Sequence, residues 1–131
     1  MTGRERRRRV LIVDDEKLIA DTLAQILNAS GFDSVATYSG EQAIELSPFV
    51  KPDFLIADVV MGGINGIDAA IAIKKIVPQC KVIICSGQIN SEALVHKAEE
   101  QGYKFDLLFK PVHPTLLLDR LNWMWRVDGV A

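Results

Sequence analysis

Short apolar runs and stretches of helical periodicity alternate along the whole of this chain, and that alternation admits few folds. Val10–Val13 is bounded by charge on both sides and is too short and too β-branched for a helix. Leu18, Ile19, Thr22, Leu23, Ile26 and Leu27 then recur at helical spacing, and Gly31 follows as a stop signal. Val35–Tyr38 reads as a second strand, and Ser39-Gly40-Glu41-Gln42 as the start of a short helix that Pro48 ends. Phe54–Ala57 is a third apolar run, entered through Pro52 and closed by Asp58. Ile67, Ala70, Ile71, Ile73 and Ile76 are helical until Pro78. Val82–Cys85 is a fourth strand, Ser91–Gln101 a helix with a weak apolar face, and Gly102 its stop. Phe105–Phe109 reads as the fifth strand and Pro114–Arg126 as the last helix, with proline in its first turn.

Five strands alternating with five helices through short loops call for an α/β fold, a parallel sheet with helices on both faces. The strands lack period-two alternation, as expected of a sheet covered on both sides. With 131 residues, 49% hydrophobic and 24% charged, the chain suits one globular domain rather than a disordered one. No apolar run is long enough to span a bilayer, and the N-terminus lacks the apolar stretch of a signal peptide, so a cytoplasmic location is expected. Cys80 and Cys85 lie five residues apart on one run. As a strand that separates their α-carbons by about 16 Å, too far for a disulfide, and two free thiols suit a reducing compartment. Cys85 reads as a small buried hydrophobe.

The net charge of −2 conceals an asymmetry: Arg4, Arg6, Arg7, Arg8 and Arg9 precede a body, residues 10–131, that carries 10 basic and 16 acidic groups. An acidic body disfavours a broad nucleic-acid surface. The arginine run itself is expected to be a solvated lead-in, the alternative being a contact with phosphates or an acidic partner.

In an open parallel sheet, ligands bind beyond the carboxyl ends of the strands. Here the first strand ends in Asp14-Asp15, the third in Asp58, the fourth in Ser86-Gly87 and the fifth in Lys110-Pro111. Asp14 or Asp15 alone could be a helix cap, Asp58 or Ser86 a turn residue, Lys110 a solvated lysine. Together they bring three carboxylates, a hydroxyl and an ammonium to one edge. Three carboxylates repel one another, and a hard cation such as Mg²⁺ removes the conflict while bridging to phosphate oxygens. With Lys110 and Ser86 as partners for the remaining oxygens, this is what phosphoryl transfer asks of a protein.

These stretches resemble the receiver domains of two-component signalling: Val10–Glu16, Asp58-Val59-Val60-Met61 with Gly66 eight residues after Asp58, Ile83–Gly87 and Lys110-Pro111. The resemblance runs from about Arg8 to Arg126. It implies a flavodoxin-like, doubly wound (βα)5 fold with strand order 2-1-3-4-5, residues 1–7 being a basic lead-in, 8–126 the receiver domain and 127–131 a tail. It implies a switch rather than an enzyme, with Asp58 accepting a phosphoryl group from a histidine kinase or histidine phosphotransfer protein. Asp15, Asp58 and the backbone carbonyl of Val60 would bind one Mg²⁺, Asp14 through a water. Ser86 and Lys110 would take the phosphoryl oxygens, and the peptide before Pro111 would be cis. The resemblance also implies that Val60 and Gln88 would flank the path of attacking water, and an apolar Val60 cannot orient it, so slow self-dephosphorylation is expected.

Two departures stand out. Gly62, beside Gly63, replaces a common proline and is expected to loosen the loop after Asp58. Leu107 replaces the tyrosine or phenylalanine that swings inward on activation in many relatives, which puts the aromatic readout in doubt. Leu117, Leu118, Leu121, Met124 and Trp125 form the last helix's inner stripe. Leu116, Trp123 and Val127 fall outside it, either as the edge of a wide core stripe or as a partner or homodimer surface. No output segment is recognisable, and Met1 and the short tail suggest a stand-alone protein. A haloacid-dehalogenase-like phosphatase would need a second aspartate where Val60 stands. A flavodoxin-like nucleotide module would need glycines where Asp14-Asp15-Glu16 stand. A receiver-like protein that only binds partners would have no use for the full acidic set. His96 and His113 read as surface residues.

Overall fold

Parallel pairing begins at β1 (Arg9–Val13), which lies between β2 (Asp33–Thr37) and β3 (Phe54–Asp58). β4 (Lys81–Ser86) and β5 (Asp106–Phe109) extend the sheet on the β3 side, giving the order β2-β1-β3-β4-β5 implied above. The computed structural model describes residues 6–129. Because side chains alternate across a strand, Leu11, Leu55, Val82 and Ile84 face one layer and Ile12, Ile56, Ile83 and Cys85 the other. Both sets are buried, so the near-continuous apolar strands are those of a sheet covered twice. The helices α1 (Lys17–Ala29) and α5 (Pro114–Gly129) cover the second face, and α2 (Gly40–Val50), α3 (Gly66–Ile76) and α4 (Ser91–Glu100) the first. Among the described residues no helix is long and apolar enough to cross a membrane.

Several expectations need correction. The second strand starts at Asp33 rather than Val35, because its pairing with β1 begins at Arg9–Asp33 and the Asp33 N–H bonds the Arg8 carbonyl at 2.8 Å. Pro48 lies inside α2 instead of ending it. Proline cannot donate to the carbonyl of Ile44 four residues back, and the Ser47 hydroxyl donates to that oxygen instead at 2.9 Å. The helix ends two residues later, where Lys51 takes a left-handed conformation at φ 51°. The fifth strand is one residue shorter than expected, α4 ends one residue earlier, and α5 runs three residues beyond Arg126. The apolar series of α1 is not one core face: Ala20, Ala24 and Leu27 are buried, whereas Leu18 is 80% and Ile19 44% exposed.

Over the described residues the arginines of the run bond the body of the fold, Arg6 and Arg7 while remaining exposed to solvent; Arg4 lies outside them. Arg6 makes a two-pronged ion pair with Asp53 at 2.7 and 3.0 Å. Arg7 donates to the carbonyls of Asn28 and Gly31, at the end of α1. Arg8 bonds Asn122 of α5 and lies 4.8 Å from the ring centre of Phe32 and 5.5 Å from that of Trp125. Arg9 points its guanidinium at the Val50 carbonyl, at the end of α2. Helix C-termini leave carbonyls without helical donors and carry partial negative charge, which guanidinium groups satisfy. The Arg6 guanidinium and the Arg9 N–H outweigh burial and hold the Asp53 carboxyl below its ordinary value.

Cys80 and Cys85 are free and buried on opposite faces of the sheet. Burial pushes both thiols up to about 12. A thiol-specific reagent at neutral pH should therefore label neither cysteine in the native protein and both after denaturation.

Candidate functional site

All five strands run in one direction, so the residues after β1, β3, β4 and β5 emerge at a single edge. There the carboxylates of Asp14, Asp15 and Asp58 each offer an oxygen, and these oxygens lie within 4.8 Å of one another. The Lys110 ammonium is 3.1 Å from Asp58 Oδ2 and 3.5 Å from Asp14 Oδ2. Neither aspartate of the first pair caps α1: the N-cap is Glu16, with no side-chain cap bond. Asp14 Oδ1 instead accepts the Glu16 N–H at 2.9 Å, which fixes the carboxylate beside Lys110.

Electrostatics at Asp58 follow from this crowding. Burial raises its carboxyl above the ordinary value, Lys110 only partly offsets that, and Asp14 and Asp15 push it further up. For Lys110, burial alone would lower the ammonium, but its bond to Asp58 and the charges of Asp58 and Asp14 raise it. One ammonium facing three carboxylates leaves a net negative, oxygen-only donor set. That donor set fits a hard divalent cation.

The remaining strand-end residues frame this centre. Lys110 donates its backbone N–H to the Ser86 carbonyl at 2.7 Å, and the Lys110–Pro111 peptide is cis. The Ser86 side chain is buried, and its hydroxyl does not join the carboxylates: it accepts the Gln88 N–H at 2.9 Å and shares a short hydrogen bond with the hydroxyl of Ser91. In the loop after Asp58, the Gly62 N–H donates to Asp15 and the Ile64 N–H to Glu41, each at 3.2 Å. Gly63 takes φ +83°, with the Glu41 carboxylate 2.8 Å from where a Cβ would stand. These two bonds flank the two glycines. Val60 is 52% exposed and Gln88 is exposed. Leu107 is half-buried against the α2–α4 layer. Leu116, Trp123 and Val127 are about half exposed on α5. His96 and His113 are exposed.

Reading the sequence missed three participants: Ser91, Glu41 and the outer side of α1. Leu18, Ile19, Thr22 and Ile26 of α1 line an apolar groove of about 680 Å³ together with Pro111, Val112 and Pro114. Asp14, Asp58 and Lys110 also line it. A signal was present, since six apolar or near-apolar positions in thirteen residues are more than one helix face needs for a sheet.

Comparison with known proteins agrees with this fold. Residues 10–122 match the family model described as the response regulator receiver domain. The chain is 36% identical over 116 residues to the chemotaxis protein CheY of Thermotoga maritima, covering 88% of this chain and 95% of that one. It is 41% identical over 98 residues to the transcriptional regulatory protein PdtaR of Mycobacterium tuberculosis, covering 72% of this chain but only 46% of the relative. Its fold is shared with the crystal structure of a CheY-like receiver domain protein from Methanospirillum hungatei, at a TM-score of 0.84 and 22% identity over 94% of this chain and 97% of the other.

Proposed function

The chain belongs to the response regulator receiver family, and on that premise we propose that it is a signalling switch that accepts a phosphoryl group on Asp58. The observation that carries this reading is the convergence of Asp14, Asp15 and Asp58 on one another and on Lys110. The donor is a phosphohistidine on a kinase or phosphotransfer protein. A carboxylate oxygen of Asp58 forms the new P–O bond as the P–N bond breaks, and the donor imidazole keeps the electron pair. Asp15, Asp58 and the Val60 carbonyl would hold one Mg²⁺ directly and Asp14 would do so through a water. When bound, that ion supplies the positive charge that three carboxylates and a phosphoryl group together lack. Lys110 pairs with a phosphoryl oxygen, and the Ser86 hydroxyl leaves its own loop to donate to another.

Incubation with acetyl phosphate and Mg²⁺, read by intact mass, should add one phosphoryl group; no addition overturns the reading. The same sample followed in time checks the lifetime. Val60 offers no polar atom to orient water beside the acyl phosphate, so the phosphoprotein should decay over hours, and decay within seconds contradicts that.

The groove beside Asp58 is the natural seat of the protein donor, because its apolar wall is exposed and opens on the acceptor. Leu18→Asp changes a side chain that is 80% exposed and should leave stability within about 0.5 kcal/mol. Phosphoryl transfer from the cognate kinase should fall about tenfold or more, while uptake from acetyl phosphate stays unchanged. Equal losses with both donors would remove the groove from the docking face. Leu116, Trp123 and Val127 on α5 are the corresponding candidates for a downstream partner or a second copy.

A further inference from the structure

The resting site keeps its switch hydroxyl bonded to a residue that takes no part in the chemistry. Ser86 ends β4 and Ser91 begins α4; they are 1% and 0% exposed, and their hydroxyls are hydrogen-bonded to each other. Everything between them is exposed, Ile89 to 95%. The N-cap of α4, Asn90, makes no side-chain cap bond. The serine pair is therefore the buried side-chain tie between the strand and the first turn of the helix.

Losing its partner costs a hydroxyl sealed from water its desolvation without compensation. When Ser86 leaves to meet a phosphoryl oxygen, the Ser91 hydroxyl loses the partner it has. The Gln88 N–H loses its acceptor at the same moment. One loss falls on the first residue of α4 and the other on the turn that leads into it. Leu107, paired in register with Ile84, offers no ring to carry the movement along β5 instead.

We propose that Ser91 is a positioning residue, a latch that holds Ser86 in the resting arrangement and converts its departure into release of the first turn of α4. The inference rests on the reading of Asp58 as phosphoacceptor and Ser86 as a phosphoryl partner. Removing the latch raises the free energy of the resting form and spares the active form a stranded hydroxyl, so Ser91→Ala binds a phosphoryl mimic more tightly. A residue that merely supported the fold would weaken binding or leave it unchanged.

The test titrates beryllofluoride with Mg²⁺ into the wild type, Ser91→Ala, Ser86→Ala and the double variant, with amide exchange along α4 followed in each. Ser91→Ala should tighten binding about fivefold, the equivalent of one net hydrogen bond. The same substitution should change nothing in the Ser86→Ala background, since the latch acts only through Ser86. In the wild type, saturation with beryllofluoride should speed exchange in the first turn of α4, and ligand-free Ser91→Ala should already show that speed. Weaker or equal binding by Ser91→Ala, the same shift in both backgrounds, or unchanged exchange in the wild type overturns the latch. A wild type that binds no beryllofluoride and takes no phosphoryl from acetyl phosphate overturns the phosphoacceptor reading as well, which separates the two failures.

Discussion

An Asp58→Asn protein should take up no phosphoryl group from acetyl phosphate with Mg²⁺, a loss of about a thousandfold or more in rate, and should nonetheless be folded. The amide matches the carboxylate in shape but has no anionic oxygen to form the P–O bond, and it removes one of the three charges proposed to hold the cation. Mass gain equal to that of the wild type would take the acceptor role away from Asp58. The stability of the variant moves in the opposite direction from its activity. In the folded protein burial and the two neighbouring aspartates outweigh Lys110 and raise the Asp58 carboxyl above its ordinary value. An acid raised by folding favours the native state while protonated and loses that contribution as pH rises through its folded value. Near neutrality without divalent ions, the asparagine variant should thus melt at a higher temperature than the wild type. The gap should close as pH falls below the folded value of Asp58, where the wild-type side chain is itself neutral. A variant less stable than the wild type at pH 7 in the presence of a chelator would show that the Lys110 pairing dominates.

Gly66→Ala should have the largest effect on stability. A Cβ on this residue would stand 2.0 Å from the backbone oxygen of Asp58 and 2.8 Å from its carbonyl carbon. Backbone on both sides leaves nothing flexible to yield. The Gly66 N–H also bonds the Val59 carbonyl at 3.0 Å, so the start of α3 cannot retreat without losing that bond. The added methyl should cost about 3 kcal/mol or more, at the top of the range for overpacking, and lower the melting temperature by about 10 °C. The carbonyl it displaces belongs to Asp58, the proposed acceptor, so phosphoryl uptake should fall in whatever fraction remains folded. Melting within about 2 °C of the wild type would mean that α3 can shift without strain. The glycine is required here for space, not for a left-handed backbone.

The two substitutions separate what was written locally from what was not. Val10–Val13, Phe54–Ala57 and Val82–Cys85 identified themselves as strands because a parallel sheet covered on both faces needs unbroken apolar runs, and that is a property of each segment alone. The identity of the strand-end residues was equally local: once the sheet is parallel, Asp14, Asp15, Asp58, Ser86 and Lys110 must emerge at one edge. Pro48 deceived because its cost is set by a hydrogen bond, and Ser47 meets that need from the neighbouring position. The arginines deceived because their acceptors, the ends of α1 and α2 and Asp53, lie 21 to 47 residues away in the chain.

Alternation and residue type by themselves determined the layered α/β fold and the chemistry available at its edge, since both depend on periodicity and on which side chains follow each strand. Only the tertiary structure decided which side of α1 faces water, why residue 66 must be glycine, and that Ser86 rests against Ser91. Those depend on distances between segments that sequence spacing does not encode: a buried hydroxyl, a backbone oxygen and an exposed leucine acquire meaning only from what packs beside them.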